Sequence, residues 1–127
     1  MLTPQEINER MAEIMGWPII TENTPFREVV QFGGYIIDGQ CYRFTGIGYN
    51  KEKIDFYSNI ADAFMVLHKW LEDHLDYSPK LGVAWDGEHP CYCWLEAIAM
   101  EEFVGMAPKY KWSQAICNCL MQAKEVE

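Results

Sequence analysis

The chain has 127 residues, half of them apolar and 14% aromatic, enough to build one domain with its own core and too apolar for a disordered segment. Ten basic against nineteen acidic residues leave a net charge of −9, a surface that repels phosphate backbones, so no direct nucleic-acid binding is expected. No apolar run reaches the ~20 residues that span a bilayer, and MLTPQEINER is not a signal peptide, so no membrane association is expected and the expected location is cytoplasmic.

Thr3-Pro4-Gln5-Glu6 is a capping box with proline at the first helical position. It predicts a helix from about residue 4 to 15, stopped by Gly16 and Pro18. Residues 19–26 read as a loop or extended segment. From Arg27 the period changes: REVVQF, GGYIID and QCYRFT are rich in β-branched and aromatic residues and read as strands. Asp38-Gly39 is a two-residue hairpin signal. It sets Tyr35 opposite Tyr42 and Ile36 opposite Cys41, and gives one face to Tyr35, Ile37, Tyr42 and Phe44. Gly33-Gly34 is a turn or a bulge. GIGYNKEKIDF, residues 46–56, reads as a polar connection.

Residues 57–75, YSNIADAFMVLHKWLEDHL, predict the central helix, with Ser58 as its N-cap. Ile60, Phe64, Leu67, Leu71 and Leu75 fall on one line, which Ala63, Val66 and Trp70 widen. So broad a face predicts a helix lying flat against a sheet. Residues 76–80, with Pro79, read as a turn. LGVAWD reads as a strand, GEHP as a turn, and residues 91–97 as a second strand paired with the first, although LEAIAMEEF has high helix propensity. Ser113 is expected to cap a last helix with Ala115, Ile116, Cys119, Leu120 and Ala123 inward, fraying near Lys124. The order of elements makes a single domain over residues 1–127, α+β with a mainly antiparallel sheet.

Five cysteines, an odd count, indicate reduced thiols. Cys117 and Cys119 stand two apart on a helix, about 200° around it, and cannot hold one ion. Cys91, Cys93 and His89 give at most three ligands. No metal, cofactor or catalytic residue is therefore expected. His68 and His74 fit structural positions on the central helix, and His89 lies in a turn. Gly46, Gly48, Tyr49, Lys51 and Lys53 have the ingredients of an anion-cradling loop, although Glu52 interrupts them and a plain connection is the alternative. Trp17, Tyr49, Trp85, Tyr110 and Trp112 are placed in loops or at element ends, and Lys109, Tyr110 and Lys111 form a second basic cluster. Such aromatics serve as interface anchors, stack a base, or cap the core edge. The candidate ligand- or partner-binding residues are thus Gly46, Gly48, Tyr49, Lys51, Lys53, Trp85, Lys109, Tyr110, Lys111 and Trp112.

INERMAEIMGWP, YSNIADAFMVLHKW and SQAICNCLMQA together resemble the phage ABA sandwich domain family, in its opening helix and stop, its Tyr-Ser motif with the following helix, and its closing helix. Asp62, Phe64, Asn118 and Cys119 depart from the usual residues. The resemblance implies a helix–sheet–helix (α/β/α) sandwich of phage or prophage origin, with no established catalytic residues to carry over. The expected function is a non-enzymatic accessory protein that binds and inhibits a host factor, such as a defence protein, in an infected or lysogenic bacterium. The alternatives are a sponge for a small anionic nucleotide and a cysteine- or metal-dependent hydrolase.

Overall fold

The computed structural model describes residues 2–46, 49–83, 91–108 and 111–126. In chain order these form α1 (Pro4–Ile14), α2 (Phe26–Val29), β1 (Gly34–Ile37), β2 (Gln40–Phe44), β3 (Lys51–Ile54), α3 (Ile60–Asp73), β4 (Tyr77–Val83), β5 (Cys91–Ala97), β6 (Glu102–Ala107) and α4 (Trp112–Val126). The expected α+β architecture with antiparallel strands and flanking helices is present. Its strands are divided between two three-stranded sheets, β1–β2–β3 and β4–β5–β6.

The first sheet forms around the Asp38-Gly39 turn, where both residues take positive φ (49° and 73°), as a tight hairpin requires. The register is the expected one, Tyr35 opposite Tyr42 and Ile36 opposite Cys41. Alternation then sends Ile36, Cys41 and Ile54 into the main core. Tyr35, Ile37, Tyr42 and Phe44 go to a second cluster with Ile20, Phe26 and Val29.

Two stretches here differ from expectation. REVVQF is not a strand: Phe26–Val29 is a helical turn, followed by a 3-10 turn over Val30–Phe32. Pro25 in extended conformation starts it, left-handed Gly33 ends it, and Val29 buries inward, so the end signals outweigh β-branched propensity. The stretch 46–56 contains a strand, because Lys51–Ile54 pairs along β2 while only Ile54 is buried. Trp17 lies just past the end of α1, as expected, but its ring fills the core, 5.6 Å from the Phe56 ring.

α3 begins two residues after the expected cap. Asp55–Asn59 closes a turn (Asn59 N to Asp55 O, 2.9 Å), so the capping oxygen comes from Asn59, which accepts from Asp62 N at 3.1 Å. The helix buries Ala63, Val66, Leu67 and Trp70, chiefly against α4 and α1 and not flat on a sheet. Ile60, Phe64 and Leu75 of the expected inward line are exposed.

Residues 77–80 are strand instead of turn. Pro79 is accommodated because β4 is an edge strand, where a missing N–H costs no ladder bond. β5 matches its expected bounds. β6 replaces helix propensity with strand pairing, after a turn in which Met100 takes φ 68°. α4 lies across β6 and β5. Gly105 permits the approach: a Cβ there would stand 2.1 Å from Cys119 N and 2.2 Å from Ala115 O. Ser113 does not cap α4 but sits inside its first turn, buried, with its hydroxyl donating to Tyr57 O at 2.9 Å. The helix continues through Lys124, whose ammonium pairs with Glu13 at 3.0 Å.

Candidate functional site

The buried stripe of α3 (Ala63, Val66, Leu67, Trp70) follows the i, i+3, i+4, i+7 spacing that turns one helix face inward. Ile60, Phe64 and Leu71 form the neighbouring stripe. No described helix lies over them; they border a groove whose far wall is the β4 edge. Three depressions line up along it. One of about 450 Å³ is lined by Phe64, Leu67, His68, Leu71, Pro79 and Leu81. The next, about 360 Å³, shares Phe64 and Leu81 and adds Ile60 and Trp112. The third, about 430 Å³, shares Ile60 and Trp112 and adds Ser58, Lys111, Ser113 and Gln114. The shared residues make one continuous groove along three turns of α3, roughly 16 Å. Ile60, Phe64 and Leu81 stand 44%, 46% and 37% exposed, high for side chains of that size clustered on one face.

The two ends differ in charge. At one end the first turns of α3 and α4 meet beside Lys111, with no acidic side chain among the described lining residues, so two helix dipoles and an ammonium make it positive. At the other end His68 Nε2 and Glu72 Oε1 stand 2.7 Å apart. The second sheet offers little to an added strand. Pro79 and Lys80 interrupt the β4 edge. Across the molecule the Gln122 amide spans the Val104 N–H and C=O, and Asn118 Nδ2 donates to Met106 O at 2.8 Å, so α4 side chains occupy the β6 edge. Side-chain packing, rather than strand addition, is the binding mode this groove permits.

The residues singled out from the sequence are distributed over several surroundings. Lys111 and Trp112 belong to the groove's positive end. Gly46 is a left-handed turn residue (φ 62°). Tyr49 is half-exposed, its ring 6.1 Å from Phe26. Lys51 is not aimed at an anion: its ammonium stands 5.1 Å, 5.7 Å and 5.2 Å from the ring centres of Phe26, Tyr35 and Tyr42. Lys53 borders a small depression between α1 and the β1–β2 turn. Gly48, Trp85, Lys109 and Tyr110 lie outside the described residues, as does His89. The groove residues Ile60, Phe64, Leu71, Pro79 and Leu81 were not candidates. Their signal in the sequence is an apolar face wider than one packing partner covers.

The thiols are placed for packing. All five cysteines are buried and unbridged. Cys41, Cys117 and Cys119 donate to the carbonyls of Asn8, Phe56 and Phe103 at 3.6, 3.3 and 3.1 Å. Cys117 and Cys119 thus reach opposite sides of α4, as their spacing requires. Burial pushes the Cys41 thiol up to about 12, with Glu9 and Asp55 adding to the rise, and burial likewise pushes Cys117 up. Cys93 donates to Cys119, which raises the first thiol and lowers the second. Both are fully buried, out of reach of a substrate. No cluster of three metal-ligating side chains occurs among the described residues, and no described helix is long and apolar enough to cross a membrane.

No protein-family model, no curated protein sequence and no solved structure matches this chain.

Proposed function

We propose that this chain is a non-enzymatic binding protein that docks a protein partner along the groove between α3 and the β4 edge. The observation that carries the reading is the uncovered stripe of Ile60 and Phe64 facing Leu81, continuous with Trp112. Large apolar side chains grouped in a concave, polar-rimmed strip are what protein interfaces bury at their centres. The groove's length suits about three turns of a partner helix or a comparable loop ridge. The chain's net charge of −9 steers a partner that is basic around its apolar ridge. The resemblance of residues 7–18, 57–70 and 113–123 to the phage ABA sandwich family extends this reading. The partner is then a host factor, such as a defence protein, which the chain inhibits in the cytoplasm of an infected or lysogenic bacterium.

Affinity recovery from bacterial lysate tests the docking. Wild-type protein recovers a specific partner at physiological salt, and Phe64→Asp, with unchanged melting temperature, recovers none. Equal recovery by the two proteins, or none by either at any salt, contradicts the reading.

A second reading rests on one feature, the positive end of the groove. Lys111, Ser58, Gln114, two helix starts and the Trp112 indole are suited to a small anionic nucleotide, phosphate at the helix starts and base against the indole. Native-state binding raises the melting temperature by mass action. A nucleotide sponge shows that rise with a nucleotide or cyclic nucleotide and loses it in Lys111→Ala. No shift at millimolar nucleotide leaves the protein-partner reading alone.

A further inference from the structure

The outer face of the first sheet carries a feature that neither reading uses. Register places Tyr35 opposite Tyr42 and Phe44 opposite Lys51, so these four side chains share one face. Tyr35 is buried beside the rings of Phe26 and Tyr42, each 5.4 Å away and inclined to it by 32° and 23°, so the three rings form a shallow aromatic floor. The Lys51 ammonium stands over all three rings, at 5.1–5.7 Å from their centres. No carboxylate pairs with it among the described residues, so the ring faces are its only partners there. The Tyr35 hydroxyl is buried in the same cluster without a hydrogen-bond partner. Half-exposed Tyr49, 6.1 Å from the Phe26 ring and inclined to it by 60°, gives this floor a side.

We infer that this is an aromatic cage for a quaternary ammonium group, occupied here by the chain's own Lys51. Three electron-rich faces converging on one cation are the arrangement by which proteins bind trimethylammonium groups. The primary ammonium of Lys51 is a poor occupant. It is a compact, strongly hydrated charge with three N–H donors, and ring faces replace that hydration weakly. The side chain accordingly stays exposed, on the solvent side of the rings. A quaternary ammonium has no N–H to satisfy and presents methyl groups to all three rings. It loses less hydration and gains more contact. Lys51 is then a tethered competitor: it holds the cage open in the absence of ligand and lowers the affinity for any ligand that must displace it. The chemistry is that of a trimethylated lysine side chain or of choline.

Titration followed by the aromatic proton resonances tests the cage. Tetramethylammonium, choline and an Nε-trimethyllysine amide are the probes, and 3,3-dimethylbutanol is the uncharged isostere of choline. Lys51→Ala is expected to bind tetramethylammonium saturably, at least tenfold more tightly than wild type, and not to bind the neutral alcohol. The choline and trimethyllysine arms distinguish the two sources of the group. Tyr42→Leu in the Lys51→Ala background is expected to lose the binding. Lys51→Gln, which keeps most of the aliphatic stem, serves where Lys51→Ala is unfolded. A folded Lys51 variant that binds no quaternary ammonium, or that binds the neutral isostere equally well, overturns the proposal.

Discussion

α3 and α4 are nearly equal in length, 14 and 15 residues, and both are strongly apolar. α4 is consumed by the fold. It buries Ala115, Ile116, Cys117, Cys119, Leu120, Met121 and Ala123, lies on two strands, and uses Asn118 and Gln122 to close a sheet edge. α3 buries one stripe of four residues and leaves the next stripe open. An apolar side chain that the fold does not use still costs solubility. The difference makes α4 a stability element and leaves the outer stripe of α3 as the surface proposed above for docking.

The largest effect that separates the two is expected at Gly105. A side chain there collides with the α4 backbone, which cannot move as a flexible side chain would. Gly105→Val is expected to lose more than about 4 kcal/mol, or to fail to fold, in urea denaturation. Leu120→Ala comes next, at about 2–5 kcal/mol for a fully buried leucine. The corresponding change on the open stripe, Phe64→Ser, is expected to cost under about 1 kcal/mol. Equal losses at the two positions would break the comparison.

Raising the pH also probes the α4 side, through its thiols. Burial holds the Cys117 thiol above its usual range, and the Cys41 thiol of β2 up to about 12. The unfolded chain, with thiols near 9, loses these protons first. Their contribution is therefore fully present below pH 9 and falls as pH climbs from 9 toward 12. Melting temperature is expected to drop over that window, and less so in Cys41→Ala. Smaller again is Gln122→Ala, which uncovers the Val104 peptide groups at the β6 edge. It is expected to cost about 1 kcal/mol and to promote concentration-dependent association in size-exclusion chromatography.

What could be read from the sequence follows the same division. The Thr3–Glu6 capping box, the Asp38-Gly39 hairpin with its register, β5 and the inward face of α4 all rest on local chemistry or on a repeating pattern. β3 was hidden because KEKI pairs through its backbone and buries only Ile54. β6 was hidden because residues 95–103 favour helix, and the turn at Met100 overrides them through pairing with β5. Without β3 there is no register to bring Lys51 to Phe44, so the lysine read as an anion ligand when it stands over three rings. On α3 the period gave the apolar width correctly. Two adjacent stripes on one helix are equivalent by period, and only tertiary packing decides which of them turns inward.

The most direct test of the open stripe is photocrosslinking in bacterial extract with p-benzoylphenylalanine at position 64 or, as a control, at position 98. Ile98 is 90% exposed and lies in the turn after β5, outside the groove. A discrete adduct from position 64 and none from position 98 is the predicted result. Adducts of equal yield from both positions, or an adduct from position 98 alone, would contradict the assignment of the α3 groove as the binding surface.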